Sequence, residues 1–145
     1  MSLIGSIGEH LVAVDLMKKG YRVSMAGAGF PYDLVVEVDQ KLYRVQVKAT
    51  QQKNRRLDYV FRSHGHKHRD YDIIAFVAID CGAIAYRPFF EAAGARNIFK
   101  PPASAHHKKR KGRNLDQYPF LGAINLLHER RILDAAQNNS LHINT

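Results

Sequence analysis

The fold is decided by one stretch of the sequence, PYDLVVEVDQKLYRVQVKAT at residues 31–50. Apolar and polar residues alternate along both of its halves, which predicts two β-strands over 34–38 and 42–49. A reversal of the chain at Asp39–Gln40 would join the two strands into an antiparallel hairpin. Because cross-strand partners lie on the same face of a sheet, one face of this hairpin is apolar and suited to pack against a helix.

The predicted pairing gathers polar side chains at one end of the other face. Asp33 faces Gln46, and Lys48 follows two residues later on the same face. Opposed residues have Cβ atoms about 5 Å apart, so Asp33, Gln46 and the carbonyl oxygen of Val47 can share one Mg²⁺, which takes oxygen ligands. With Lys48 beside it, this set has the equipment for metal-assisted phosphodiester hydrolysis. The same pattern also fits an exposed sheet face whose charges keep the protein soluble.

The composition favours a polyanionic partner. The chain has 145 residues, with 22 Lys and Arg against 13 Asp and Glu, and a net charge of +9. This excess is typical of nucleic-acid-binding domains.

The lone Cys81 excludes an intramolecular disulfide and a cysteine-based zinc site. We find no apolar run near the ~20 residues of a membrane span and no signal-peptide pattern, so we expect a cytoplasmic protein without membrane contact.

The basic residues are concentrated in two segments, 41–69 and 106–113. Aromatic residues interleaved with the first segment suit contact with nucleic-acid bases, although core positions are the alternative for them. Histidines alternate over 64–68, but a zinc site there lacks a second pair of ligands. The candidate DNA-binding residues are Lys53, Arg55, Arg56, Arg62, His64, His66, Lys67, Arg69, Lys108, Lys109, Arg110, Lys111 and Arg113.

The remaining pattern predicts one α/β domain over 1–145 with a mixed sheet flanked by helices. A core over about 2–90 is followed by a basic loop at 100–114 and an appended C-terminal helix. Apolar residues at helical spacing predict the two helices, and Ser2 and Gly20 stand at the first helix's start and stop positions. The predicted helices span 2–19 and 118–136, and the other strands span 21–25, 58–62, 73–79 and 83–87.

Two motifs resemble the core of the PD-(D/E)XK nucleases. Pro31-Tyr32-Asp33 stands where that family has its Pro-Asp, and Gln46-Val47-Lys48 is similar to the QxK ending of a small branch that includes intron-encoded homing endonucleases. Gly5 to Gly8-Glu9 resembles the GxxGE-type opening of the family. The resemblance implies a restriction-endonuclease-like fold. It also implies the catalytic residues Glu9, Asp33, Gln46 and Lys48, with Glu9 completing the metal site.

The resemblance implies a DNA endonuclease that depends on Mg²⁺, with Mn²⁺ as a substitute, and that acts on double-stranded DNA at a specific site. One domain has one active site, so cutting both strands predicts a homodimer or homotetramer. A structure-selective nuclease of the Holliday-junction-resolvase type is an alternative. Because Gln46 replaces a carboxylate, a non-catalytic DNA-binding protein is another. An RNA-binding module would be a third, although no RNP or KH signature is present.

Overall fold

A computed structural model describes residues 2–51, 57–62, 70–92, 96–102 and 113–143. Within these ranges it confirms the predicted α/β class and the mixed sheet. The helices and strands are α1 (Leu3–Lys18), β1 (Arg22–Met25), β2 (Leu34–Val38), β3 (Lys41–Thr50), β4 (Tyr59–Arg62), β5 (Ile73–Ala78), β6 (Ala83–Pro88), β7 (Arg96–Phe99) and α2 (Phe120–Ile143), with 3-10 turns at Phe89–Glu91 and Leu115–Gln117.

The hairpin of β2 and β3 has the predicted register, with Leu34 opposite Val45. Its two turn residues both have positive φ, 49° at Asp39 and 67° at Gln40. Positive φ at both positions is the geometry of a type I′ turn, whose twist matches that of the two strands. The register confirms which side chains of the hairpin share a face.

The central sheet has the strand order β1-β2-β3-β5-β6. Strand β5 runs parallel to β3, and the other neighbours are antiparallel. Every residue of β5 is buried, so both faces of the sheet must be covered. One face is covered by α1 and by the first half of α2, and the other by the two-stranded ribbon of β4 and β7.

The first helix begins and ends as predicted. The side chain of Ser2 accepts a hydrogen bond from the Gly5 N–H at 3.1 Å, and Gly20 follows the helix with a φ of 92°. Val12 and Leu16 are fully buried against the sheet. At Gly8 the helix comes so close to β3 that an added Cβ would lie 2.6 Å from the Cβ of Ala49. The absence of a side chain at position 8 therefore sets how closely α1 packs.

The C-terminal helix differs from the prediction in its length. It begins at Phe120 and continues to Ile143, beyond the predicted end at residue 136. The sequence contains no glycine or proline after Gly122, so nothing in it stops the helix. Phe120 and Leu127 belong to the same core cluster as α1. No helix in the described ranges combines the length and apolar character needed to cross a membrane.

The ribbon of β4 and β7 was only partly predicted. The pattern indicated β4 but not β7, because the buried Asn97 and the exposed Ile98 reverse the usual alternation of apolar residues inside and polar residues outside. The two strands pair with each other rather than joining the central sheet. All four aromatic residues interleaved with basic residues are buried, which favours the core alternative over contact with bases; they are Tyr43, Tyr59, Phe61 and Tyr71.

The two ends of the predicted basic loop lie side by side. The Lys100 N–H donates to the carbonyl of Arg113 at 2.7 Å, and the Leu115 N–H donates to the carbonyl of Lys100 at 3.1 Å. Residues 103–112 lie outside the described ranges. The division of the chain into a core and an appended element stays a prediction.

We predict that Gly8→Ala lowers the free energy of unfolding by at least about 1 kcal/mol, measured by urea denaturation. The new methyl group would force α1 away from Ala49, and this cost should exceed the gain in helix propensity. Gly122→Ala is the matched control, because its Cβ would meet Pro119 at an ordinary 3.5 Å. That variant should be about as stable as the wild type or up to ~1 kcal/mol more stable. Equal behaviour of the two variants would contradict the prediction.

Candidate active site

Asp33 lies at the point where β2 begins, and its carboxylate is held by the backbone of β3. The Asp33 N–H donates to the carbonyl of Val45 at 2.9 Å, and Asp33 Oδ2 accepts a hydrogen bond from the Val47 N–H at 2.8 Å. The N–H and C=O of one strand residue point toward the same edge of the strand. The Val47 carbonyl oxygen therefore points to the edge at which the Asp33 carboxylate lies.

Glu9 brings a second carboxylate to the same place from α1. It is half-buried and forms a side-chain hydrogen bond with Asp33. Burial raises the pKa of Glu9 above its ordinary value, and the charge of Asp33 and this hydrogen bond raise it further, against a smaller opposing effect of His10. Two carboxylates in contact repel each other when both are ionised, so a cation placed between them would be stabilising.

Gln46 adds a buried amide to the site. Its side chain is 6% exposed, and Gln46 Oε1 has no hydrogen-bond partner in the described part of the chain. An unsatisfied buried acceptor of this kind costs about 1–3 kcal/mol. Gln46 lies on β3 between Val45 and Val47, the two residues whose backbone groups bond Asp33. An amide oxygen there is suited to bind a cation.

Lys48 lies two residues beyond Gln46 and on the same face of β3. Its side chain is half-buried, next to its parallel-strand partner Phe76. Burial lowers the pKa of the Lys48 ammonium below its ordinary value, and the Asp33 carboxylate opposes this shift. Lys48 is therefore a cation close to the Asp33 carboxylate in a partly desolvated environment.

The predicted catalytic residues thus lie on α1, just before β2 and on β3, with Glu9 and Lys48 both close to Asp33. The oxygen donors are two carboxylates, one amide and one backbone carbonyl, which fit a hard divalent cation such as Mg²⁺. No set of three His, Cys, Asp or Glu side chains within the described ranges is arranged to bind a metal. Any cation here would therefore depend on the neutral oxygens of Gln46 and Val47 as well as on Glu9 and Asp33.

Of the candidate DNA-binding residues, the described ranges contain Arg62 and Arg113. Arg62 is exposed at the end of β4. Arg113 packs over the ring of Phe99 at 4.9 Å and donates to the carbonyl of Ile98 at 3.3 Å, so it is partly committed to the domain itself. The others lie outside the described residues: Lys53, Arg55, Arg56, His64, His66, Lys67, Arg69, Lys108, Lys109, Arg110 and Lys111.

The sequence reasoning missed Arg96. The pairing of β4 with β7 places it directly opposite Arg62, although 34 positions separate the two in the chain. Local patterning could not reveal this neighbourhood, because it arises from the pairing of two distant four-residue strands. The only local signal was a single basic residue at the start of the stretch RNIF, residues 96–99.

Comparisons with known proteins identify the family and a similar fold. Residues 2–85 match the family model described as PD-(D/E)XK endonuclease. No curated protein gives a match. A bacterial homing endonuclease has a similar structure, with a TM-score of 0.69 and 22% identity over 95% of this chain and 96% of that one. A Holliday junction resolvase from the archaeal hyperthermophile Archaeoglobus fulgidus gives a TM-score of 0.46, with 17% identity over 66% of this chain and 83% of that one.

We predict that Mg²⁺ or Mn²⁺ raises the melting temperature of the wild-type protein and that Glu9→Gln greatly reduces this rise. In EDTA the same variant should melt at the wild-type temperature or slightly above it, because the substitution removes the repulsion between Glu9 and Asp33. Differential scanning fluorimetry measures both quantities. A control variant, Glu37→Gln on β2, should retain the full response to the metal. An undiminished response in Glu9→Gln would show that Glu9 is not a ligand.

Proposed function

Because the chain belongs to the PD-(D/E)XK endonuclease family, we propose that it is a divalent-metal-dependent endonuclease that hydrolyses double-stranded DNA at a specific site. The observation that carries this proposal is the contact of Glu9 with Asp33, close to Lys48 and to the unpaired amide oxygen of Gln46 on β3. Two carboxylates, an unpaired amide oxygen and a half-buried ammonium group are suited to phosphodiester hydrolysis.

Nucleases of this family generally use divalent metals. In this proposal Glu9, Asp33, Gln46 Oε1 and the Val47 carbonyl hold Mg²⁺, and Mn²⁺ can replace it. When bound, the ion supplies positive charge at the reacting phosphate and acidifies the attacking water. The unpaired oxygen of Gln46 supports its assignment as a ligand, since nothing within the described residues satisfies it.

Lys48 is the proposed partner of the attacking water and of the phosphate. Its ammonium group carries positive charge toward the position at which negative charge develops on the phosphate oxygens. Because burial lowers its pKa, it gives up a proton more readily than an exposed lysine does, and this suits a role in moving a proton at the water. Asp33, held by the Val47 N–H, fixes the geometry around it.

The site-specific character of the proposed cleavage is supported by the likeness of this fold to that of a homing endonuclease. The charge of +9 supports double-stranded DNA as the substrate. The chain supplies one such site, so cleavage of both strands requires two copies, and we propose a homodimer or homotetramer.

We predict that the protein nicks or cuts DNA in the presence of Mg²⁺ or Mn²⁺ and that EDTA or Asp33→Ala abolishes this. Supercoiled plasmid, a four-way junction and a randomised-site library are the substrates to compare on gels. Preferred cleavage of one library sequence supports site specificity, and preferred cleavage of the junction would identify a resolvase-like enzyme instead. DNA binding without cleavage of any of the three would indicate a non-catalytic DNA-binding protein.

We predict that Lys48→Ala lowers the cleavage rate by at least about 100-fold while DNA affinity changes by less than tenfold. Lys41→Ala is the matched control, because Lys41 is exposed on the same strand about 23 Å away at ~3.3 Å per residue. The Lys41→Ala variant should cleave DNA at close to the wild-type rate. A parallel loss of binding and cleavage in Lys48→Ala would assign the residue to binding alone.

We predict that Gln46→Met retains or increases the stability of the fold and nevertheless loses most of the metal-dependent cleavage. Met has a similar length and no amide, so the substitution removes an unsatisfied buried oxygen together with the proposed ligand. Urea unfolding and plasmid cleavage measure the two effects. A variant that is stable and fully active would exclude Gln46 from the metal site.

A further inference from the structure

A second positively charged site lies beside the proposed active site. A pocket of about 460 Å³ extends from Lys48 at the end of β3 to the ends of β4 and β7. Its walls include the side chains of Lys48, Thr50, Phe61, Arg62 and Arg96. The pocket therefore begins at the lysine of the proposed active site and carries two further positive charges at its other end.

The two arginines oppose each other across the ribbon. Arg62 is the direct cross-strand partner of Arg96, and both are exposed. Like charges in this position are destabilising. Neither forms an ion pair with the described carboxylates, whereas Arg44, Arg87 and Arg131 each do. The geometry thus concentrates two uncompensated guanidinium groups on one pocket, where an anion would relieve their repulsion.

The ribbon holds these arginines on a rigid base. The ring of Phe61, next to Arg62, lies 5.0 Å from that of Phe76 and 5.9 Å from that of Phe99. Tyr59 at the other end of β4 donates a hydrogen bond to Asp80 Oδ2 at 2.9 Å. Phe76 is the neighbour of Lys48 across β3 and β5. The same aromatic packing therefore sets the position of the arginine pair relative to Lys48.

We propose that Arg62 and Arg96 together bind a backbone phosphate of the DNA strand, next to the phosphate held at Glu9, Asp33 and Lys48. This inference rests on the proposed function. Guanidinium groups present planar, forked donors that match phosphate oxygens, so two of them can enclose one phosphate. A phosphate bound here fixes the register of the strand, and Arg62 and Arg96 act as positioning residues for cleavage.

The test uses the full chain with Arg62→Gln, Arg96→Gln and the double substitution. Binding of a short mixed-sequence DNA duplex in EDTA is measured by fluorescence anisotropy at several salt concentrations. The double variant should lower the slope of log affinity against log salt by about 0.9, which corresponds to the loss of one phosphate contact. Its single-turnover cleavage rate at saturating protein should fall about 10-fold to 100-fold.

Arg22→Gln is the matched control. Arg22 is an exposed strand arginine opposite Glu37, on the far edge strand of the central sheet. This variant should keep the wild-type slope and rate. Thermal melting checks the fold, and the double variant should melt at or above the wild-type temperature because a like-charged pair is removed.

The outcomes separate this inference from the proposed function. If the wild type cleaves DNA and the double variant keeps its slope and rate, the phosphate site is refuted and the nuclease stands. If no DNA is cleaved but the slope still depends on the two arginines, the nuclease is refuted and the phosphate site stands. If the wild type does not bind the duplex, both are refuted. A lowered melting temperature with an unchanged slope would assign the arginines to the fold.

Discussion

The packing of α1 on β3 at Gly8 is the contact on which the site depends. A Cβ at this position would lie 2.6 Å from that of Ala49, so only glycine allows the helix to approach so closely. Glu9 is the next residue, and its carboxylate reaches Asp33 only because α1 lies this close to β3. Asp33 is itself fixed by the backbone of Val47. A small increase in the distance between α1 and β3 would therefore separate the carboxylates of Glu9 and Asp33.

The proposed active site and the arginine pair beside it contain several unfavourable local interactions. Glu9 and Asp33 place two acids in contact, Arg62 opposes Arg96, and the oxygen of Gln46 is buried without a partner. Asp72, in contrast, accepts hydrogen bonds from both Arg44 and Arg131. Proteins commonly break local rules at functional sites and compensate for them in the surrounding structure. Here the aromatic packing beneath the ribbon and the two buried cores provide that support.

Much of the hairpin could be predicted from the sequence, because alternation and a two-residue turn together determine its register. The same patterning predicted α1 with its cap, and the resemblance indicated Glu9. Its contact with Asp33 could not be derived locally, since it depends on how closely a helix packs on a sheet. The pairing of β4 with β7 escaped prediction for a similar reason: two short strands identify each other only through the aromatic core beneath them. For Phe61, on a strand of only four residues, periodicity also left open whether the ring faces the core or the solvent.

The register of the hairpin limits where the protein can tolerate an inserted or deleted residue. The relative positions of Asp33, Gln46 and Lys48 depend on the register of β2 and β3, in which Leu34 lies opposite Val45. Inserting or deleting a single residue between Asp33 and Lys48 would turn the side chains beyond it to the opposite face of the sheet. Natural relatives and engineered variants should therefore vary in length in the loops after β3 and β7, while the spacing of these 16 positions is kept.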